Sequence, residues 1–264
     1  LVMVFTMTFC KGLGETSNNS NTVLSLCYTQ GCYVNHKIRY AKTYDGINWE
    51  IENVGTLNGK HVSMKRDKYG HIHVAFDVGG FLYYINNVNH GNWSSPKIVD
   101  TAYSACSYVS LDIDDNLKAH VSYMTDSSST VYTLKYATNK NSEIFQSISL
   151  ETRNGIGLSY MAGIYSNIAV DSLGNVHIIH GVNSSQRGLF YLKGNIQTDS
   201  SSWLRHTIET GSASHIVMKL KDSKIHVAYK FSGELKYAVG NGNTFNTQII
   251  TNAQPNSAPY TDMV

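Results

Sequence analysis

One short quartet is written five times along the chain: IRYA at 38–41, LYYI at 82–85, LKYA at 134–137, LFYL at 189–192 and LKYA at 235–238. From Tyr40 through Tyr84, Tyr136, Tyr191 and Tyr237, the spacings are 44, 52, 55 and 46 residues. A second unit precedes the later quartets: SMKRDKYGHIHVAF at 63–76, SLDIDDNLKAHVSY at 110–123, NIAVDSLGNVHIIH at 167–180 and IVMKLKDSKIHVAY at 216–229. Aligned without gaps, these put His73, His120, His177 and His226 in one column and Asp67, Asp114 and Asp171 in another, which Leu220 breaks. Each reads as strand, polar turn, strand, with Asp, Asn and Gly serving the turn. After each quartet come a polar turn, an aromatic (Trp49, Trp93, Phe145, Trp203, Phe245) and a last short strand. Four antiparallel strands per repeat, at a period of about 40–50 residues, build propeller blades. No stretch keeps a 3.6-residue period for three turns, which excludes a helical solenoid.

The count predicts an all-β fold: a five-bladed β-propeller of four-stranded antiparallel blades, one domain over residues 1–264. LVMVF at 1–5 matches IHVAF at 72–76 and is expected to enter as the second strand of blade one. APYTDMV at 258–264 is expected to supply that blade's first strand, so that the C-terminus closes the ring and leaves no open edge. Residues 10–35 then become an insertion in blade one, with a hairpin through TVLSLCYT. Cys10, Cys27 and Cys32 allow a disulfide there, with the pairing open; the fourth cysteine is Cys106.

Charge excludes some partners. Charged residues make up 15% of the chain and the net charge is +2, so no electrostatic footprint for nucleic acid exists. No apolar run reaches the roughly 18 residues of a membrane span. GLGET at 12–16 lacks the strand–turn–helix context of a phosphate cradle, and no cofactor is expected. Equivalent histidines on separate blades lie too far apart to share an ion, so no metal is expected either. LVMVFTMTFC has no basic residue before it, unlike a secretory signal, and reads as strand. The sequons NNS, NWS and NSS, the low charge and the cysteine cluster together point to a secreted protein, extracellular or periplasmic, and a monomer.

The repeated columns are packing columns: a residue needed once does not recur in every blade. A binding site should occupy positions that vary between blades and face the mouth of the central channel. Those are His61, Tyr108, Tyr165, the Ser214–His215 step and Tyr260, joined by the loops DVGG at 77–80, TDSSST at 125–130 and NSSQR at 183–187, which bring Asp77 and Asp126. One packing column also breaks. Phe5, Phe76, Tyr123 and Tyr229 share a position that is His180 in the fourth blade. Its two readings are a satisfied buried histidine and a general base, with Tyr165 or Tyr108 as acid and Arg187 neutralising a substrate carboxylate.

TYDGINW at 43–49 resembles the S/T-x-D-G-x-x-W turns of the sialidase-like and five-bladed glycoside hydrolase propellers. The strand–turn–strand unit followed by LKYA resembles a widespread bacterial propeller repeat, over residues 36–264. The resemblance implies the fold and a glycan-related task. The chain departs from the sialidase pattern, since DG at 45–46 lacks the residue that the usual Asp-box of sialidases keeps between Asp and Gly, and no arginine cluster stands out among its five arginines. Related glycosidases place three acids on inner strands, where this chain offers Asp112 and Asp262; related polysaccharide lyases use His, Tyr and Arg. Carbohydrate recognition, lectin-like and needing no tuned acid or base, is the first expectation. A glycan-cleaving enzyme, either lyase or glycosidase, and a protein-interaction scaffold are the alternatives.

Overall fold

A computed structural model describes residues 7–8, 23–31, 36–101, 105–128, 131–154, 161–183, 187–195 and 200–252. Its strands form five four-stranded sheets in which sequence neighbours pair antiparallel. Blade one holds β1 (Met7–Thr8), β2 (Leu24–Gln30), β3 (Lys37–Thr43) and β4 (Glu50–Asn58). Blade two holds β5 (Lys60–Arg66), β6 (Ile72–Val78), β7 (Phe81–Asn86) and β8 (Lys97–Thr101). Blade three holds β9 (Ala105–Ile113), β10 (Ala119–Ser128), β11 (Val131–Thr138) and β12 (Gln146–Asn154). Blade four holds β13 (Met161–Val170), β14 (Val176–Asn183), β15 (Gly188–Gly194) and β16 (Leu204–Thr210). Blade five holds β17 (Ala213–Lys221), β18 (Lys224–Phe231), β19 (Glu234–Gly240) and β20 (Phe245–Asn252). The first strands β5, β9, β13 and β17 lie against one another in that order, as the inner strands of a propeller do.

The repeated tyrosines pack each blade on the next. Tyr40 meets Trp93 at 5.9 Å between ring centroids, Tyr84 meets Phe145 at 5.4 Å, Tyr136 meets Trp203 at 5.3 Å and Tyr191 meets Phe245 at 5.5 Å. Each pair adds about 0.5–1.5 kcal/mol beyond its buried area. Within a blade the same tyrosine bonds the column histidine: Tyr84 to His73 Nδ1 at 2.5 Å, Tyr136 to His120 at 2.6 Å and Tyr191 to His177 at 2.8 Å. The other ring nitrogen faces Asp67, Asp114 or Asp171 at 3.2, 3.4 and 3.1 Å. A carboxylate only accepts, so Nε2 carries the proton and the phenol donates to Nδ1. Burial alone would raise the Asp67 pKa, but bonds from His71, His73 and backbone amides outweigh it and hold the carboxyl below its ordinary value.

Two expectations need correction. The second-strand position of blade one is filled by β2, which pairs with β3 on one side and with Met7–Thr8 on the other; the run at 1–5 expected there lies outside the described residues. Cys27 sits opposite Tyr40 as Ala75 sits opposite Tyr84. The 10–35 segment therefore carries a blade strand; two apolar runs competed for one position, and register against the IRYA strand decides between them. In blade five, Lys221 pairs with Lys224 around Asp222 and Ser223, at φ 51° and 58°. That left-handed two-residue turn is one residue shorter than its counterparts, so the ungapped alignment slips by one on β17. Lys221, not Leu220, takes the place of the turn aspartate, and His226 Nε2 has no hydrogen-bond partner. Cys106 is a free, buried thiol. Phe5, Cys10, Cys32 and the closing segment 258–264, with Tyr260 and Asp262, lie outside the described residues.

Candidate functional site: the rim of the inner strands

Each inner strand of blades two to five carries a bulge at one and the same place. Pairing skips from Lys60 to Ser63 on β5, from Ser107 to Ser110 on β9, from Ile164 to Asn167 on β13 and from Ser214 to Val217 on β17. The first unpaired residue is His61, Tyr108, Tyr165 or His215, with φ of 48°, 52°, 52° and 50°. These are the four rim residues expected from blade-to-blade variation, and they share one backbone position. Left-handed backbone costs a residue with a Cβ roughly 1–2 kcal/mol, and a bulge re-aims the side chain it carries.

Three of the four side chains form an arc across blades three, four and five. Tyr108 lies 5.0 Å from Tyr165 at an interplanar angle of 53°, and Tyr165 lies 5.0 Å from His215 at 31°. Tyr108 and Tyr165 rest on the buried side chains Met124, Tyr132 and Ile164. Ser166 Oγ donates to the Tyr108 carbonyl at 2.7 Å and accepts from Ser122 Oγ at 3.3 Å, pinning two bulges together. That supporting serine was missed in the sequence, where only its place after Tyr165 marks it. His215 Nδ1 and Ser214 Oγ are 3.1 Å apart. Burial, reinforced by Lys230, pushes the His215 pKa down, and burial also lowers that of His61 despite the opposing charge of Asp77. Burial together with the neighbouring Tyr165 pushes the Tyr108 phenol up. His61, His215 and Tyr108 are thereby held toward their uncharged forms.

Acids and cations flank the arc. Asp77 stands across the ladder from Lys60, buried, with Oδ1 accepting from Gly80 N at 3.1 Å; burial raises its pKa against the pull of that amide and of His61. Asp126 pairs across with Ala105 and Tyr132 at the same end of blade three. Arg187 is exposed in the turn before β15, and its carbonyl accepts from Gly211 N at 3.0 Å. Asp112 is committed elsewhere: Oδ1 pairs with Lys65 at 2.8 Å and Oδ2 accepts from Val170 N at 2.7 Å, tying three inner strands together.

His180 lies across the ladder from the Tyr165 bulge, yet the two side chains take different surroundings. The His180 ring is fully buried, 5.7 Å from Phe190, with Nδ1 at 3.2 Å from the Gly181 carbonyl and Nε2 at 3.4 Å from Glu151 Oε2. Neighbouring seams fill the same column with tyrosines bonded to an acid of the preceding blade: Tyr123 to Asp100 at 2.6 Å and Tyr229 to Glu209 at 2.7 Å. Lys135 and Lys236 complete those two seams, while Arg153 and Arg205 flank Glu151. Burial lowers the His180 pKa. Among the described contacts, His180, Tyr165 and Arg187 have no partner in common. Among the described residues, no group of three or more His, Cys, Asp or Glu could hold a metal ion.

No protein-family model and no curated protein matches the chain. Solved structures do match in fold. A protein of unknown function from Dyadobacter fermentans superposes with a TM-score of 0.61 at 9% identity, over 87% of this chain and 80% of that one. An ulvan lyase from a polysaccharide lyase family gives 0.59 at 11% identity, over 91% and 72%. A Hadza microbial sialidase gives 0.58 at 12% identity, over 88% of this chain and 57% of its own. At these identities the likeness is one of fold, and the class it defines is the β-propeller.

Proposed function

We propose that the chain is a secreted carbohydrate-recognising propeller whose rim holds a glycan through the arc of Tyr108, Tyr165 and His215, with His61, Asp77, Asp126 and Tyr260 as further ligand-binding positions. The carrying observation is the bulge: one backbone position in each of blades two to five holds a tyrosine or a histidine, and three of these meet at 5.0 Å spacings. Tilted rings with hydroxyl and imidazole edges suit the apolar face and the hydroxyls of a sugar. The named glycan-active neighbours support the reading at the level of fold. The test is a glycan array that includes neutral and uronic acid polysaccharides. Tyr165→Ala should weaken any bound glycan at least about tenfold, roughly 1.4 kcal/mol, without lowering the melting temperature to match. Binding that ignores this variant sinks the proposal.

Glycan cleavage is the second reading, favoured by one observation: the Tyr165 phenol lies beside an imidazole that burial keeps uncharged. That reading takes His180 as base, Tyr165 as acid and Arg187 as the partner of a substrate carboxylate. Monitoring the same polysaccharides for new reducing ends and unsaturated products decides it. Turnover that disappears in both Tyr165→Phe and His180→Asn would replace recognition by catalysis.

A further inference from the structure

One stretch of the chain carries no charge at all. Residues 237–261 hold no Asp, Glu, Lys or Arg, the longest such run in a chain of which 15% is charged. Inside it lies β20, the last strand of blade five. Its neighbour in the sheet is β19, and among the described residues no strand pairs with its outer edge.

An outer strand presents a row of amides and carbonyls that another extended chain can pair with, and charges, prolines and short strands guard against this. The other four outer strands are guarded. β4 carries Glu50 and Glu52, β12 carries Glu151 and Arg153, and β16 carries Arg205 and Glu209. β8 has only five residues, Lys97 and Asp100 among them, and Pro96 precedes it. β20 has eight, FNTQIITN, with no charge, proline or glycine, and Thr247 and Ile249 on it are exposed. Phe245–Ile249 pair with β19 in unbroken register, from Gly240 to Lys236, before a bulge skips Ile250. A bulge bends its strand, so the straight part of this edge runs from Phe245 to Ile249.

We propose that this edge docks a second copy of the chain, two β20 strands pairing antiparallel about a two-fold axis at Thr247. The straight part of the strand is complementary to itself. The axis sets Thr247 opposite Thr247, Asn246 opposite Gln248 and Phe245 opposite Ile249. Threonine pairs and aromatic–β-branched pairs strengthen an antiparallel ladder, and no charge meets a like charge. Facing Asn and Gln side chains each offer a donor and an acceptor to the other. A two-fold contact closes on itself, and the guarded edges of the other blades provide no second one, so assembly stops at two copies. Where the sequence pointed to a monomer, this edge argues for a dimer.

Size-exclusion chromatography with light scattering, run on the full chain over a range of concentrations, measures the mass. A dimer is expected, and Thr247→Lys, which sets lysine opposite lysine, should raise its dissociation constant at least about tenfold. Thr247→Glu should do the same, and an equimolar mixture of the two variants should dimerise again. Thr207→Lys, on the guarded strand β16, should leave the dimer intact. Far-UV circular dichroism checks that each variant folds. Amide hydrogen exchange on the unaltered protein needs no variant: protection within Phe245–Ile249 should rise with protein concentration. A monomer at every concentration overturns the proposal, as does a dimer that both Thr247 variants leave intact. A mixture that stays monomeric overturns pairing about Thr247, and scattering that grows beyond two copies overturns the closed pair.

Discussion

At His61 the backbone stands at φ 48° and the residue is more open to solvent than Tyr108, Tyr165 or His215, so the bulge position shows its cost there with fewer packing terms to confuse it. Glycine avoids the Cβ penalty of that conformation, and His61→Gly should be about 1 kcal/mol more stable than His61→Ala in urea denaturation. The reverse order would mean that the bulge is not the resting conformation of β5. His180 gives a second residue-scale expectation. Burial holds His73, His177 and His180 neutral in the fold, with pKa values below the ordinary one of about 6.5. The unfolded chain therefore binds more protons below about pH 6.5, and stability, complete above that, falls as the pH drops through it. His180→Tyr installs the residue used beside Asp100 and Glu209, with a hydroxyl for Glu151 Oε2, which has no hydrogen-bond partner. We expect it to gain about 1 kcal/mol at pH 7 and to flatten the slope of urea midpoint against pH between 7 and 5. An unchanged slope would remove His180 from the acid sensitivity.

At the scale of the element, side chains that look like site residues hold neighbouring strands instead. Asp112 is the sharpest example, an inner-strand acid of the kind a glycosidase needs, yet bonded to Lys65 of β5 and to the Val170 amide of β13. Asp112→Ala should cost about 2–3 kcal/mol in denaturant unfolding, because it leaves a buried amide unpaired and breaks a charge-assisted contact. A loss of glycan binding at full stability would return Asp112 to the site. The four-strand blade and the packing role of the tyrosine column were legible in the sequence, since the quartet recurs and the Asp and His columns keep a constant spacing of 6 residues, but the bond from each column histidine to the quartet tyrosine was not, because their separation varies from 11 to 16 residues. The start of blade one was not, because VMVF and LSLCY are equally good strands and only pairing with Lys37–Thr43 separates them. His61, Tyr108, Tyr165 and His215 were singled out in the sequence as one set, but their shared left-handed backbone was not legible, since neither Tyr nor His announces a positive φ.

For the whole molecule, protection is uneven. Blade four is covered on both sides: by blade three through Tyr136–Trp203 and by blade five through Tyr191–Phe245. Blade one joins blade two through an apolar seam around Tyr40, Trp93 and Phe76, while Leu24 and Trp49 elsewhere in the blade are exposed. Amides of Leu24–Asn58 should accordingly exchange with solvent faster than those of Val176–Gly194 in native-state hydrogen exchange, and uniform protection would contradict the seam account. The bulges have a consequence of another kind. Positions 61, 108, 165 and 215 stand outside the hydrogen-bonded ladder, one in each of blades two to five, so a side chain exchanged there has no ladder partner to lose. Four codons, varied together, would change the chemistry displayed along the inner strands of four blades while the flanking ladder pairs keep their partners.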